Sequence, residues 1–381
     1  MPLLCPINSS YELPPYDMAE INPLLEFLKE NADAEQSVVF PRGTVTEDGR
    51  LDLCKQALGV QGASLVAKAL AANTKIRSLL MGTDGIGNAG AAEIANLIDR
   101  NKNLNTIYLG CNRIEAEGAA NLALALKKND SVIGLWLKRN PIGREGAKHI
   151  ADMLKTNQTL RVLDLVNTNI GLEGLEMVVH VLLHENRTVE RLYLGANQID
   201  EKGAALLAEL LKSNPTIKAL LLNVNHLGDK GALALAEGLQ HNTTLQELGL
   251  GSNGIGDEGG KRLIEAVIAH PSLQLLDFGY SRSTKALHAS ANSLGDDSAV
   301  LIKKLLEENK TLLELDLVRN NFTGKGIALV RGGLERNTTL QILHLNGKHG
   351  LEKFTERNCE LAGGVKRKAD EYVAVIKSVY R

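Results

Sequence analysis

Hydrophobic positions along this chain follow two periods in alternation. The segment LQELGLGSNGI, Leu245 to Ile255, sets Leu248 and Leu250 two residues apart, so they share one face of a strand while Gly249 faces the other way. The segment GAANLALALKKN, Gly118 to Asn129, spaces its apolar residues three and four apart, as an amphipathic helix does. The unit recurs: stretches beginning at Leu104 and Val132 align without gaps at a separation of 28 residues. Unit starts fall at positions 48, 76, 104, 132, 160, 189, 217, 245, 273, 312 and 340, eleven in all, the first and last degenerate. The steps are 28 residues except for 29 at 160 to 189 and 39 at 273 to 312, the latter 28 plus an eleven-residue insertion. A strand followed by a helix in every unit predicts parallel strands with all helices on one side.

Three further columns run through the repeat. Asn112, Asn140, Asn197, Asn225, Asn253 and Asn320 recur eight residues after their unit starts, with Asp84 and Thr168 as variants. An amide there is placed to bond main-chain groups of adjacent turns. A second asparagine column, from Asn73 and Asn101 to Asn337, precedes each unit by three residues and is expected to end the helices in the left-handed conformation. A glycine column, Gly62 to Gly326, opens the helices, where a side chain is expected to hold helix and strand apart.

The consensus LxxLxLxxNxIGxxGAxxLAxxLxxN resembles the ribonuclease-inhibitor class of leucine-rich repeat. That class includes ribonuclease inhibitor, the repeat domains of NOD-like receptors and Ran GTPase-activating proteins. The likeness spans about Asp48 to Leu345. It implies an α/β solenoid, an open horseshoe of about eleven 28/29-residue strand–helix units with parallel strands on its concave face. A closed eight-fold barrel is the rival that also alternates strand and helix. Eleven units exceed eight, the strands are short for a barrel wall, and one strand face carries charge, so the horseshoe is preferred.

Residues 1–47 and 346–381 flank the solenoid at 48–345 and are expected to cap its apolar ends. The first holds a predicted helix, Met18 to Glu30, and a strand SVVF; the second has Val365, Tyr372, Val373, Ile376 and Val379 near helical spacing. The basic run Lys366-Arg367-Lys368 reads as the solvated face of that helix rather than a targeting patch.

Composition narrows the function. Hydrophobic residues make up 44% and aromatics only 3%, so Leu, Ile, Val and Ala must build the core. A net charge of −2 favours neither nucleic acid nor an anionic membrane as partner. Cys5, Cys54, Cys111 and Cys359 lie too far apart for a CxxC metal site or a dense disulfide framework, which points to a reduced, cytoplasmic setting. The start MPLLCPINSSYELPPYD lacks the pattern of a signal peptide, and no apolar run is long enough for a membrane span. Five glycosylation-like triplets, such as Asn242-Thr-Thr, arise from the asparagine that precedes each strand entry. GSNGIGDEGG imitates a phosphate loop with glycines that belong to the repeat. No metal-ligand spacing, cofactor motif or catalytic constellation stands out, so a monomeric, non-enzymatic chain is expected.

The candidate site lies on the strand face away from the helices. The fifth residue of each unit points there, reading Asp52, Leu80, Tyr108, Trp136, Asp164, Tyr193, Leu221, Gly249, Asp277, Asp316 and His344. Tyr108, Trp136, Asp164 and Tyr193 would form one patch facing the hollow, flanked by Lys138, Arg139 and Arg191. Aromatics ringed by arginine have the composition of an interface hot spot, although cross-strand stacking alone also explains them. An exposed Trp136 predicts that Trp136→Ala costs less than ~1 kcal/mol and that its fluorescence is readily quenched. Towards the C-terminus Glu247, Asp277, Glu314 and Asp316 make the face acidic, with Arg319 as counterweight, which suits a partner with a basic region. The insertion at Gly279 to Ala291 adds Tyr280, Arg282, Lys285 and His288 as contact candidates. These features point to a module that binds a protein through the concave face. The alternative is a GTPase-activating protein resembling the Ran type, acting by organising the GTPase's own machinery. The strongly acidic C-terminal tail of eukaryotic members is missing, and no catalytic residues match position by position.

Overall fold

The computed structural model of the protein describes residues 17–347, 349–367 and 371–376. They fall into two compact units, residues 17–189 with 371–376, and residues 190–367. The expected helical position Val379, the basic-run residue Lys368 and Cys5 lie outside the described residues.

The first unit opens with a 3-10 turn, Met18–Ile21, and a helix, Asn22–Glu30, that buries Leu24, Leu25 and Leu28. Strands β1 (Val38–Val39), β2 (Thr44–Val45) and β3 (Arg50–Asp52) pair antiparallel in order. From β3 onward the pairing is parallel, through β4 (Ser78–Leu80), β5 (Thr106–Tyr108) and β6 (Gly134–Trp136) to β7 (Val162–Asp164). The second unit repeats the scheme with β8 (Arg191–Tyr193), β9 (Ala219–Leu221), β10 (Glu247–Gly249), β11 (Leu275–Asp277), β12 (Glu314–Asp316) and β13 (Ile342–His344). A helix follows each repeat strand, such as Gly143–Leu154 after β6 and Gly228–Gln240 after β9. Neither run of strands closes on itself, so this is an α/β solenoid of strand–helix units and not a barrel.

The middle residue of each strand from β3 to β12, such as Leu135, Leu220 or Leu315, is fully buried against the helices. The first asparagine column does what its position predicts. Asn225 Oδ1 accepts from the main-chain N–H groups of Asn197 (2.9 Å) and Ile199 (3.1 Å), while Nδ2 donates to Leu194 O (3.2 Å) and Leu222 O (2.8 Å). One buried amide thus satisfies main-chain groups of two successive repeats. The insertion keeps this ladder intact, because Asn292 beyond it accepts from Asn253 N and Ile255 N, each at 3.0 Å.

The second column corrects its expectation. Asn101 ends its helix at φ −93° and ψ 127°, and Asn337 at φ −73° and ψ 137°, both extended rather than left-handed. Their side chains carry the role instead. Asn101 Nδ2 donates back to Leu70 O at 2.7 Å, and its Oδ1 accepts from Asn103 N and Leu104 N at 2.8 and 3.0 Å. The amide closes the end of the previous helix and the entry of the next strand together, which an extended backbone allows. Left-handed residues occur beside the ladder asparagines, among them Arg139 (φ 58°) and Arg319 (φ 59°). There Arg139 N reaches Val166 O in the next turn at 2.8 Å. The glycine column separates helix from helix rather than helix from strand: a methyl at Gly146 would meet Ala119 Cβ of the preceding helix at 3.3 Å.

The segment 346–381 holds two helices with different attachments. Helix Glu352–Leu361 covers the end of the second unit, where Asn358 Nδ2 donates to Leu340 O at 2.9 Å. The short helix Glu371–Val375 belongs to the first unit, where Arg50 Nη1 donates to Val375 O at 3.2 Å and Ile376 is buried. Cys54 and Cys359 are free thiols, whereas Cys111 is disulfide-bonded, a link the spacing of the cysteines did not suggest. Among the described residues no helix is long and apolar enough to cross a membrane.

Candidate functional site

The strand face opposite the repeat helices, here the far face, carries positions three and five of every unit. Register places Tyr108, Trp136 and Asp164 side by side on β5 to β7, and Gly249, Asp277, Asp316 and His344 side by side on β10 to β13. The two stretches differ in access.

In the first unit every residue of β4 to β7 is buried. Trp136 does turn away from the helices, since its ring lies over Gly134 and leaves no room for a methyl there. Yet its exposure is 0%, and Nε1 has no hydrogen-bond partner among the described residues. The expectation of a solvent-facing tryptophan is therefore corrected: orientation towards the far face is not exposure. Glycine at position 134 gives the ring room to lie over its own strand. Tyr108 packs over Gly82 and Gly110 in the same way and is 5% exposed. Asp164 is 1% exposed, with Oδ1 accepting from Val166 N at 2.9 Å. Burial pushes its carboxyl up to about 6, against the opposing pull of Lys138 and Arg139. Burial in turn lowers the ammonium of Lys138, opposed by Asp164.

Arg191 and Tyr193 open the second unit and are also buried. Arg191 Nε donates to the Tyr193 hydroxyl at 2.8 Å, and its Nη2 reaches Glu247 across the small side chain of Ala219. Beyond β9 the far face opens: Glu247, Leu275, Asp277, Glu314 and Asp316 are half-buried and His344 is exposed. Asp277 and Asp316 each cap their own strand end, accepting from Gly279 N at 2.7 Å and Val318 N at 2.9 Å. Burial raises both carboxyls, Asp277 to about 6, and each feels nearby carboxylates. Asn223 also donates to Asp277. His344 sits 3.6 Å from Glu314, which holds the imidazole above its ordinary value and Glu314 below its own.

The insertion borders this acidic stretch. Thr284 is buried and donates to Ser252 Oγ at 2.6 Å, pinning the loop to the preceding turn. The guanidinium of Arg319 stacks 4.2 Å from the ring centre of Tyr280, and with Arg282, Lys285 and Val318 they line an open hollow of about 410 Å³. A second hollow, of about 640 Å³, lies on the helix side between Gly143–Leu154 and Gly171–His184, away from every predicted site residue. Among the described residues no group of three His, Cys, Asp or Glu side chains is placed to hold a metal.

Sequence reasoning missed Arg367, which lies on the far face rather than on a solvated helix. Its Nη1 donates to Glu314 Oε2 at 2.7 Å and its Nη2 to Glu247. It also overlooked that Arg191 and Glu247 share one column, separated by an alanine, a pairing the register makes readable.

Five stretches, residues 100–123, 156–179, 213–236, 241–263 and 308–330, match the family described as Leucine Rich repeat. With strand and helix alternating throughout, the chain is an α/β solenoid whose matched stretches are similar to leucine-rich repeats. No curated protein sequence matches it. Among solved structures it is similar to "Leiomodin-1 Actin-Binding Site 2 (ABS2)", at 18% identity over 56% of this chain and 90% of that one, TM-score 0.28. It is also similar to the tropomodulin C-terminal domain of Caenorhabditis elegans, at 15% identity over 50% of this chain and 95% of that one, TM-score 0.34. Superpositions this loose carry no argument about function.

Proposed function

We propose that this chain is a non-enzymatic scaffold with repeats of the ribonuclease-inhibitor type, binding a protein partner through the far face of its second unit. The observation that carries the reading is the change in access along one row of equivalent positions. In the first unit Tyr108, Trp136 and Asp164 are buried, with Lys138 and Arg139 beside them half-buried, whereas in the second unit Asp277 and Asp316 are half-buried and His344 is exposed, with half-buried Tyr280 and exposed Arg319 beside them. Charged groups on short, register-locked strands are held by the sheet, so little entropy is lost when a partner docks.

Quantitative affinity capture tests this with Asp316→Lys and Tyr280→Ala beside wild type, and Lys148→Glu on the helix side as control. A partner lost with the first two and kept with the third supports the reading. Equal recovery with all three overturns it. Stimulated GTP hydrolysis by the wild-type chain with a Ran-type GTPase would replace it with the GTPase-activating alternative.

A further inference from the structure

The third position of each repeat in the second unit reads Arg191, Ala219, Glu247, Leu275, Glu314 along adjacent strands. Charged residues stand on alternate strands with a small or apolar residue between them. Neighbouring strands lie ~4.8 Å apart, so Glu247 and Glu314 flank a gap of roughly 10 Å with Leu275 at its floor. A guanidinium matches such a gap: its flat face tolerates an apolar floor while its edges donate to carboxylates on both sides.

That gap is filled by the chain itself. Arg367 bridges Glu314 and Glu247, and its main-chain N–H donates to Gln341 Oε1 at 2.6 Å. Its side chain is only 11% exposed, and its Nε is buried with no hydrogen-bond partner among the described residues. The second oxygen of Glu247 is taken by Arg191, and the second oxygen of Glu314 faces His344. Residues 362–364 close the end of helix Glu352–Leu361, their main-chain N–H groups donating to Asn358 O, Glu360 O and Cys359 O at 3.1, 2.9 and 2.8 Å. Residues 361–366 are all exposed, Leu361 by 65% and Val365 by 60%, and Gly363 and Gly364 both take φ +76° with open space around them. Beyond that helix end, the Arg367 side chain and its main-chain N–H to Gln341 fasten this strap to the second unit.

We propose that the slot between Glu247 and Glu314 is a receptor for an arginine on an extended segment of the protein partner, and that Arg367 occupies it as an internal competitor until displaced. The proposal rests on the reading of the second unit's far face as the binding surface. Exchange of one guanidinium for another keeps both carboxylates compensated throughout, so displacement avoids the large cost of baring two half-buried anions. Affinity is then set by what the incoming segment adds along Leu275, Asp277 and Asp316.

A fluorescein-labelled peptide of sequence AGGVKRKAD, matching residues 362–370, is titrated into the full chain and followed by anisotropy. Arg367→Ala should bind it about tenfold more tightly than wild type, because the internal competitor is gone. Adding Glu247→Gln and Glu314→Gln to Arg367→Ala should remove that gain, and a peptide with glutamine in place of its arginine should not bind. Circular dichroism checks that each variant is folded. Should Arg367→Ala unfold, Arg367→Lys, which keeps the charge but cannot bridge both carboxylates, should still bind the peptide several-fold more tightly than wild type. Equal binding by wild type and the Arg367 variant, no binding to either, or binding that ignores the peptide's arginine overturns the proposal. Affinity capture with Arg367→Ala separates the two claims: partner recovered while the peptide fails sinks only the slot, and partner lost with Asp316→Lys still upholds the surface.

Discussion

The two units present the same repeat in the same register, yet their far faces behave oppositely. On β5 to β7 the fifth positions are Tyr108, Trp136 and Asp164, all buried; on β11 to β13 they are Asp277, Asp316 and His344, half-buried or exposed. A fixed backbone pattern therefore does not decide whether a side chain on that face becomes core or surface. Tyr108 and Trp136 lie over glycine positions, where a side chain would leave them no room. The same carboxylate bond to the strand end occurs at buried Asp164 and at half-buried Asp277 and Asp316, so that bond does not set exposure either.

Six substitutions sharpen or break this contrast. The largest effect is expected at Trp136, where alanine should cost roughly 3–5 kcal/mol of unfolding free energy, as for a buried large aromatic. Its emission should be blue-shifted and poorly quenched by iodide. Asp316→Ala, by contrast, should change stability by less than ~1 kcal/mol. A mild Trp136 variant with readily quenched emission would erase the difference between the faces.

Next comes pH. Asp164 is held at about 6 when folded, against about 3.9 in an unfolded chain. Below about pH 4 both states carry the proton and the residue costs nothing. Between about pH 4 and 6 the folded state keeps a proton the unfolded state has released, so stability falls as pH rises, and above about pH 6 the penalty is complete. Asp164→Asn, which still accepts from Val166 N, should gain on wild type across that window by up to about 2–3 kcal/mol. Asp277→Asn should show the same sign with a smaller rise, because Asp277 is only half-buried. Parallel stability curves for wild type and Asp164→Asn in urea at pH 4 and pH 7 would refute the buried-carboxylate account.

Asn225→Ala should cost about 1–3 kcal/mol, since four main-chain groups lose their partner. An unchanged melting temperature would refute the ladder as a source of stability. The smallest structural effect should be Thr284→Ala, about 1 kcal/mol for one buried hydrogen bond to Ser252. A loss as large as that at Trp136 would make the insertion part of the fold rather than a loop pinned beside the acidic strands.

Much of this was legible in the chain. Periods of two and of three to four residues, repeated every 28, define each strand, each helix and the row of fifth positions, because side-chain direction follows locally from backbone geometry. The ladder asparagines were readable for the same reason: their partners sit one repeat away. The second asparagine column was misjudged in conformation, since residue type suggested a left-handed cap while the side chain's bonds required an extended one.

Burial on the far face follows a different logic. Whether Trp136 is sealed depends on how neighbouring repeats pack around a ring that local pattern merely aims. Arg367 meets Glu247 across 120 residues of sequence, and Val375 meets Arg50 across 325. No periodicity reaches that far. The repeat alone determined what each element is and which way its side chains point; only the folded chain, by returning its C-terminal residues to strands laid down long before, decided which of those side chains water can reach.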